Sequence, residues 1–274
     1  MKALFDIGNS RIKWAWFEQS QKPAKGPFSL HDIGGAGHAE CPFDEMAAVN
    51  WTDWPRPEEI VVSSVGADEH WRQLRDWCSQ HWRQQPVRVT SVAEGYDICN
   101  AYARPDELGS DRWAAIIGAH HLRHTNTCVI DCGTAITVDF LDAAGRHLGG
   151  YIIPGLELMQ QSLAQRTDAI QLLSQSSGSE SGRCRTEPGS STAACIEHGL
   201  LLTITSLIEV GCKKMEIQTG KLFHCLLTGG NAEQLAPCLG KGVAFEPHLV
   251  LQGLARIACE DHSVSATDRD SIKK

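Results

Sequence analysis

Two short phrases in this chain repeat each other. The first runs Ala3-Leu4-Phe5-Asp6-Ile7-Gly8-Asn9-Ser10-Arg11-Ile12-Lys13-Trp14. The second runs Cys128-Val129-Ile130-Asp131-Cys132-Gly133-Thr134-Ala135-Ile136-Thr137-Val138-Asp139-Phe140. Each is an apolar run, then Asp-x-Gly, then a small polar residue, then a second β-rich run. Asp6 recurs as Asp131 and Gly8 as Gly133, both 125 residues further on. One Asp-x-Gly reads as an ordinary hairpin turn. Two at a fixed offset, with strand-like flanks both times, read as two strand–turn–strand units and two halves of one site.

The turn favours phosphate. Gly8 and Gly133 lack a Cβ, so a ligand can approach the backbone closely. Successive N–H groups in such a turn form an anion nest, to which Asn9, Ser10 and Thr134 add donors. Lys13 supplies a point charge for a phosphate oxygen. Asp6 and Asp131 repel phosphate, so their place is beside a cation or a water in a magnesium shell.

The chain is long enough for one large or two ordinary domains, at 274 residues. With 42% hydrophobic and 21% charged residues it should bury a real core. A net charge of −8 argues against a broad nucleic-acid face. The eleven cysteines include no CxxC pair, which disfavours a disulfide framework and a zinc site and fits a reducing cytoplasm. Asp6 interrupts the N-terminal apolar run before a signal sequence forms, and Leu200–Ile208 is short for a membrane span. A cytoplasmic protein without a membrane partner is the expectation.

Along the chain, Lys2–Ile7 and Arg11–Phe17 read as a hairpin and residues 20–45 as a loop or weak strand. Ile60–Val65 reads as a buried strand, Asp68–Gln84 as a helix and Val87–Thr90 as a strand. The tryptophans of that stretch read as core. Pro105 and Gly109-Ser110 break the chain before a helix over Arg112–Arg123. Asp111 at its start reads either as an N-cap or as a base facing a site, with Arg112 on a polar substrate group. His120 and His124 read as a solvated helix face. A strand follows at His147–Gly155, then helices at Leu156–Leu173 and Thr192–Val210, with the Ser/Gly-rich residues 174–191 between them as a candidate lid. Leu222–Leu227 reads as a strand running into a Gly229-Gly230-Asn231 turn.

Taken together these motifs resemble the type III pantothenate kinases of the acetate and sugar kinase, heat-shock chaperone and actin superfamily. The likeness runs from Asp6 to about Leu254. It rests on Asp-x-Gly-Asn-Ser-x-x-Lys at Asp6, Tyr-x-x-Pro-x-x-Leu-Gly-x-Asp-Arg-Trp at Tyr102, Asp-x-Gly-Thr-Ala-x-Thr-x-Asp at Asp131, and Gly-Gly-x-Ile-x-Pro-Gly at Gly149, in the family's order.

The resemblance implies an α/β fold of two ribonuclease-H-like (actin-like ATPase) domains, each a mixed five-stranded sheet flanked by helices, with an interdomain cleft. The expected division is 1–118 and 119–274. It implies ATP binding by Asp6, Ile7, Gly8, Asn9, Ser10, Arg11, Ile12, Lys13 and Thr134, with Mg2+ accompanying the nucleotide. Asp131 would hold a monovalent cation, K+ or NH4+. Pantothenate would meet Tyr102, Gly109, Ser110, Asp111, Arg112 and Thr192, with Asp111 as general base. A homodimer is implied as well. The alternatives are a non-catalytic nucleotide-binding regulatory protein and a phosphohydrolase of the same superfamily.

Overall fold

The computed structural model describes residues 1–19, 26–165, 185–240 and 242–260. In chain order the first elements are β1 (Lys2–Ile7), β2 (Arg11–Phe17), β3 (His31–Gly37), α1 (Phe43–Trp51), β4 (Glu59–Ser64), α2 (Asp68–His81), β5 (Val87–Arg88), β6 (Glu94–Gly95) and β7 (Ile98–Cys99). Then come α3 (Ser110–Arg123), β8 (Thr127–Cys132), β9 (Ala135–Leu141), β10 (His147–Pro154), α4 (Leu156–Gln165) and α5 (Thr192–Thr219). β11 (His224–Thr228), α6 (Ala232–Leu235), β12 (Ala244–Phe245) and α7 (Leu249–Ala258) complete the chain.

Two compact units result, and they interleave in sequence. The first takes Met1–Asp97, Asp106–Leu122 and the stretch from Val250; the second takes Ile98–Pro105 and Arg123–Leu249. Each holds one five-stranded sheet, ordered β3-β2-β1-β4-β5 in the first and β10-β9-β8-β11-β12 in the second. In both, three strands form an antiparallel meander and two more join in parallel. Short turns suffice for the meander, whereas each parallel step needs a crossover, which helices supply. The duplicated phrase is thus a duplicated sheet, β1–β2 answering to β8–β9, and the mixed five-stranded fold holds for both units.

Every residue of β1 is buried, because strands cover both its edges and helices its faces. Around it the first unit packs Trp51, Trp54, Trp77 and Trp82. Trp51 meets Phe5 edge-on at 4.8 Å and Trp77 at 5.4 Å, so these rings are core, as the sequence implies. The strand and helix between residues 31 and 51 have little pattern to announce them. β3 carries Gly34 where a Cβ would stand 2.6 Å from the Trp14 ring, so its composition serves close packing rather than alternation.

α3 departs from the sequence reading. It begins at Ser110, which puts Asp111 inside the first turn rather than at the cap, and it is buried continuously from Arg112 to His121. His120 is therefore not on a solvated face. The cause is α7, which returns from the C-terminus and packs so closely that a Cβ on Gly253 would lie 1.8 Å from the Ala114 carbonyl. His121 stacks on Phe28 at 5.1 Å between ring centroids.

α5 also exceeds the reading. It runs 28 residues and stops at Gly220, whose φ of 68° makes a left-handed C-cap. By length and hydropathy it could cross a membrane, which the shorter run Leu200–Ile208 did not suggest. Its Leu201, Ile204, Ile208 and Met215 nevertheless follow helical spacing and pack on the second sheet as a core helix does. Residues 174–184 of the expected lid lie outside the described residues. Residues 185–191 lead into α5, where the Ser191 hydroxyl accepts from the Ala194 amide at 3.2 Å.

Candidate active site

The first turn lies at the carboxyl end of β1, a position that ligands favour in α/β sheets. Gly8 N–H donates to the Arg11 carbonyl at 2.9 Å, closing the bend and leaving Asn9 and Ser10 exposed. The neighbouring β4 end is drawn close: Val65 and Gly66 amides both donate to the Ile7 carbonyl, at 3.0 and 3.2 Å. Gly66 makes this possible, since a Cβ there would sit 2.6 Å from the Gly8 carbonyl oxygen. On the outer side His38 donates its backbone N–H to Ser10 at 3.0 Å, and its ring Nε2 lies 2.9 Å from the Gly8 carbonyl. The His70 ring stacks on that imidazole at 3.7 Å. Burial lowers the His38 pKa; the Gly8 hydrogen bond opposes and His70 adds to the depression.

Register sets the chemistry of this end of the sheet. Asp6 stands opposite Lys13 on β2 and Ser63 on β4, so the three side chains share one face. Asp6 is buried, with 7% exposure, and Lys13 is half-buried. The start of α3 is fastened to the same row. Ser110 Oγ accepts from the Ser64 amide at 3.1 Å and shares a hydrogen bond with Ser63 Oγ at 3.2 Å. Ser110, predicted to contact substrate, is buried and acts here as a bracket between helix and sheet. Gly109 completes the bracket, because a Cβ on it would lie 2.6 Å from Asp111 Oδ1. Asp111 is half-buried beside it and accepts from the Arg112 amide at 2.7 Å. Asp6, Gly8, Lys13, Ser110, Asp111 and Arg112 thus belong to one edge of one unit.

In the second unit Asp131 stands opposite Thr137 and Thr228, so its row holds two hydroxyls and a carboxylate and no lysine. Gly229, with φ of 93°, lies so near that a Cβ would be 2.4 Å from Asp131 Oδ1. Gly133 N–H closes this turn onto the Ala135 carbonyl at 3.1 Å, and the Gly155 amide donates to the Thr134 carbonyl at 2.8 Å. The Thr134 side chain is exposed. Thr192 is exposed at the first position of α5.

Tyr102, also in the second unit, lies over the His147 ring with centroids 6.1 Å apart and planes 16° from parallel. Beneath it His147 Nε2 meets Asp139 Oδ1 at 2.9 Å, with both side chains buried. His147 Nδ1 accepts the Ala101 amide at 3.5 Å, so the dyad supports the segment that carries Tyr102. The sequence reading gave this dyad no role. Its one signal was Asp139, the last residue of the second repeated motif.

Both sheets, with a glycine turn at the end of the first strand of each, define the actin-like ATPase and sugar kinase class of fold. Solved structures agree. A Campylobacter jejuni protein described as a Baf-family transcriptional activator superposes with a TM-score of 0.57 at 20% identity, covering 93% of this chain and 96% of the other. An activator of 2-hydroxyisocaproyl-CoA dehydratase from Clostridium difficile, with bound ADPNP, gives 0.51 at 14% identity, covering 94% of each. At these identities the likeness is of fold.

The sequence comparisons go further. The family model described as type III pantothenate kinase matches residues 3–214. Curated relatives of that description include one from Nitrosococcus oceani, 34% identical over 276 residues and covering 98% of each chain. Another, from Halorhodospira halophila, is 35% identical over 259 residues, covering 93% of this chain and 96% of the relative. The chain belongs to the type III pantothenate kinase family.

Proposed function

We infer that this chain carries out the reaction its family is named for, transfer of the terminal phosphoryl group of ATP to pantothenate, which opens coenzyme A synthesis. The observation that carries the reading is the Ser110 bracket, which holds Asp111 at the end of the sheet where the Gly8 turn and Lys13 lie. Phosphoryl transfer requires positioned groups and charge neutralisation more than covalent help. Residues Asp6 to Lys13 and Thr134 bind ATP: backbone amides of the first turn cradle phosphate and Lys13 neutralises an oxygen. Mg2+, carried with the nucleotide, offsets the triphosphate charge.

Tyr102, Gly109, Asp111, Arg112 and Thr192 recognise pantothenate, while Ser110 contributes by holding the helix start in place. Asp111 takes the proton of the attacking primary hydroxyl. Asp131 holds a monovalent cation, K+ or NH4+. Support for that comes from an oxygen-only row, Asp131 with Thr137 and Thr228, and from the space beside its carboxylate that a Cβ at Gly229 would fill.

The chain works in the cytoplasm as a homodimer. Support for the dimer is the outer face of α5, where Leu202, Val210 and Ile217 are 47, 52 and 75% exposed, a surface better suited to a partner than to water. A purely regulatory role is not favoured, since a binding protein needs no base held at a phosphate turn. A hydrolase has no use for the Tyr102 and Gly109–Arg112 segments.

Asp111→Asn is the test. It keeps shape and hydrogen bonding, so ATP and pantothenate should still bind, while kcat falls by about 10²–10⁴. Turnover close to that of the unaltered protein would exclude Asp111 as the base.

A further inference from the structure

Away from both turns, the second sheet brings together three thiols that the phosphoryl-transfer reading does not use. Cys128 and Cys225 are register partners on the parallel strands β8 and β11, so they point to one face with Cα atoms about 4.8 Å apart. α5 crosses that face and contributes Cys212. The three Sγ atoms all lie within 4.8 Å of one another, with Cys212 and Cys225 3.9 Å apart. Sequence spacing gives no sign of the group, since its members come from two strands and a helix.

We propose that Cys128, Cys212 and Cys225 form a three-thiolate site for a soft d10 metal ion, with Cu(I) as the guest. Thiolate sulfur selects such ions over hard ones. Among the described residues no fourth His, Cys, Asp or Glu joins the group, whereas zinc asks for four ligands. Three sulfurs at a mostly apolar face suit an ion content with three. Cys128 is buried while Cys212 and Cys225 are half-buried, so the ion has a route in. All three stand as free thiols, with a 3.9 Å separation far beyond the roughly 2.05 Å of a disulfide. Binding is a ligand exchange without redox change: Cu(I) gains three Cu–S bonds, and the S–H protons pass to solvent.

The experiment uses the reduced full chain without oxygen, with Cu(I) delivered in competition with a bicinchoninate chelator. The readouts are thiolate-to-copper charge-transfer absorption and Tm. One equivalent should bind, more tightly as pH rises, and raise Tm. Cys212→Ser and Cys225→Ser should each weaken uptake about tenfold or more, while Cys99→Ser, an exposed thiol elsewhere, should leave it unchanged. Unaltered pantothenate kinase activity of the metal-free Ser variants would show that they fold. Equal uptake by both Ser variants and the unaltered chain would overturn the site. So would a Cys212–Cys225 disulfide that forms in air while copper binds without stoichiometry. Preference for Zn2+ over Cu(I) would overturn the choice of ion.

Discussion

The two halves of this kinase share a topology and differ in one row of side chains. In the first sheet the row across the turn is Lys13, Asp6, Ser63. In the second it is Thr137, Asp131, Thr228. The turns differ by a residue as well, because Gly8 closes onto Arg11, three along, and Gly133 closes onto Ala135, two along. The shorter second turn shifts the register, so Thr137 rather than Val138 faces Asp131. A row with an ammonium suits phosphate; a row of hydroxyls and carboxylate suits a metal cation. The two sheets thus share a frame and differ by a turn one residue shorter and by two side chains in the row.

The division can be broken where its expected effects are largest. Lys13→Met should lower kcat/KM for ATP by about 10²–10³, the usual loss of a donor aimed at developing charge. Steady-state kinetics at varied ATP would check this, and a loss under fivefold would mean that the first row does not carry the phosphate charge. Next comes Gly229→Ala, which meets the Asp131 carboxylate and a positive φ together. It should cost about 1–3 kcal/mol in denaturant unfolding and remove any stimulation by K+. An unchanged midpoint would show that the second row is looser than its geometry states.

Thr134→Ala should do less, raising KM for ATP by about tenfold, near 1.4 kcal/mol, with kcat kept. An equal fall in kcat would move Thr134 from ground-state binding to transition-state contact.

The smallest effect is a pH slope. Burial depresses the His38 pKa, so the folded state resists protonation where the unfolded chain accepts it. The stability tied to neutral His38 is present above the unfolded value, about 6.5, and is lost as pH falls from there through the folded pKa. Tm followed across that window should therefore fall more in the unaltered protein than in His38→Gln. Parallel curves would separate His38 from the first turn's stability.

Much of this arrangement was legible beforehand. The hairpin ranges Lys2–Ile7 and Arg11–Phe17 follow from apolar runs around Gly8, and the repeat at Asp131 implied a second strand–turn–strand unit. Elements without periodicity were not legible: β3 is glycine-rich because Trp14 lies against it, and α1 is short. α7 is apolar, yet its place beside α3 depends on Gly253 meeting Ala114, a contact across about half the chain. For the same reason His120 looked solvated. Within the candidate site, the motif pointed to Asp6, Lys13 and Asp111, which the structure brings to one end of the first sheet. It could not separate Ser110 the bracket from its neighbours, since that role depends on β4. The Asp139–His147 dyad was hidden likewise, because its partner Tyr102 segment comes from far upstream. Unpaired cysteine usage was the expectation. Among the described residues nine cysteines are free thiols, while Cys238 is disulfide-bonded.

We propose that the first row handles phosphate for a pantothenate kinase while the second holds a monovalent cation. ADP release from ATP and Mg2+, with and without pantothenate, in potassium and then in sodium buffer, tests both parts at once. Turnover should require pantothenate and be stimulated by potassium. Turnover indifferent to pantothenate, or none with any cation, would contradict it.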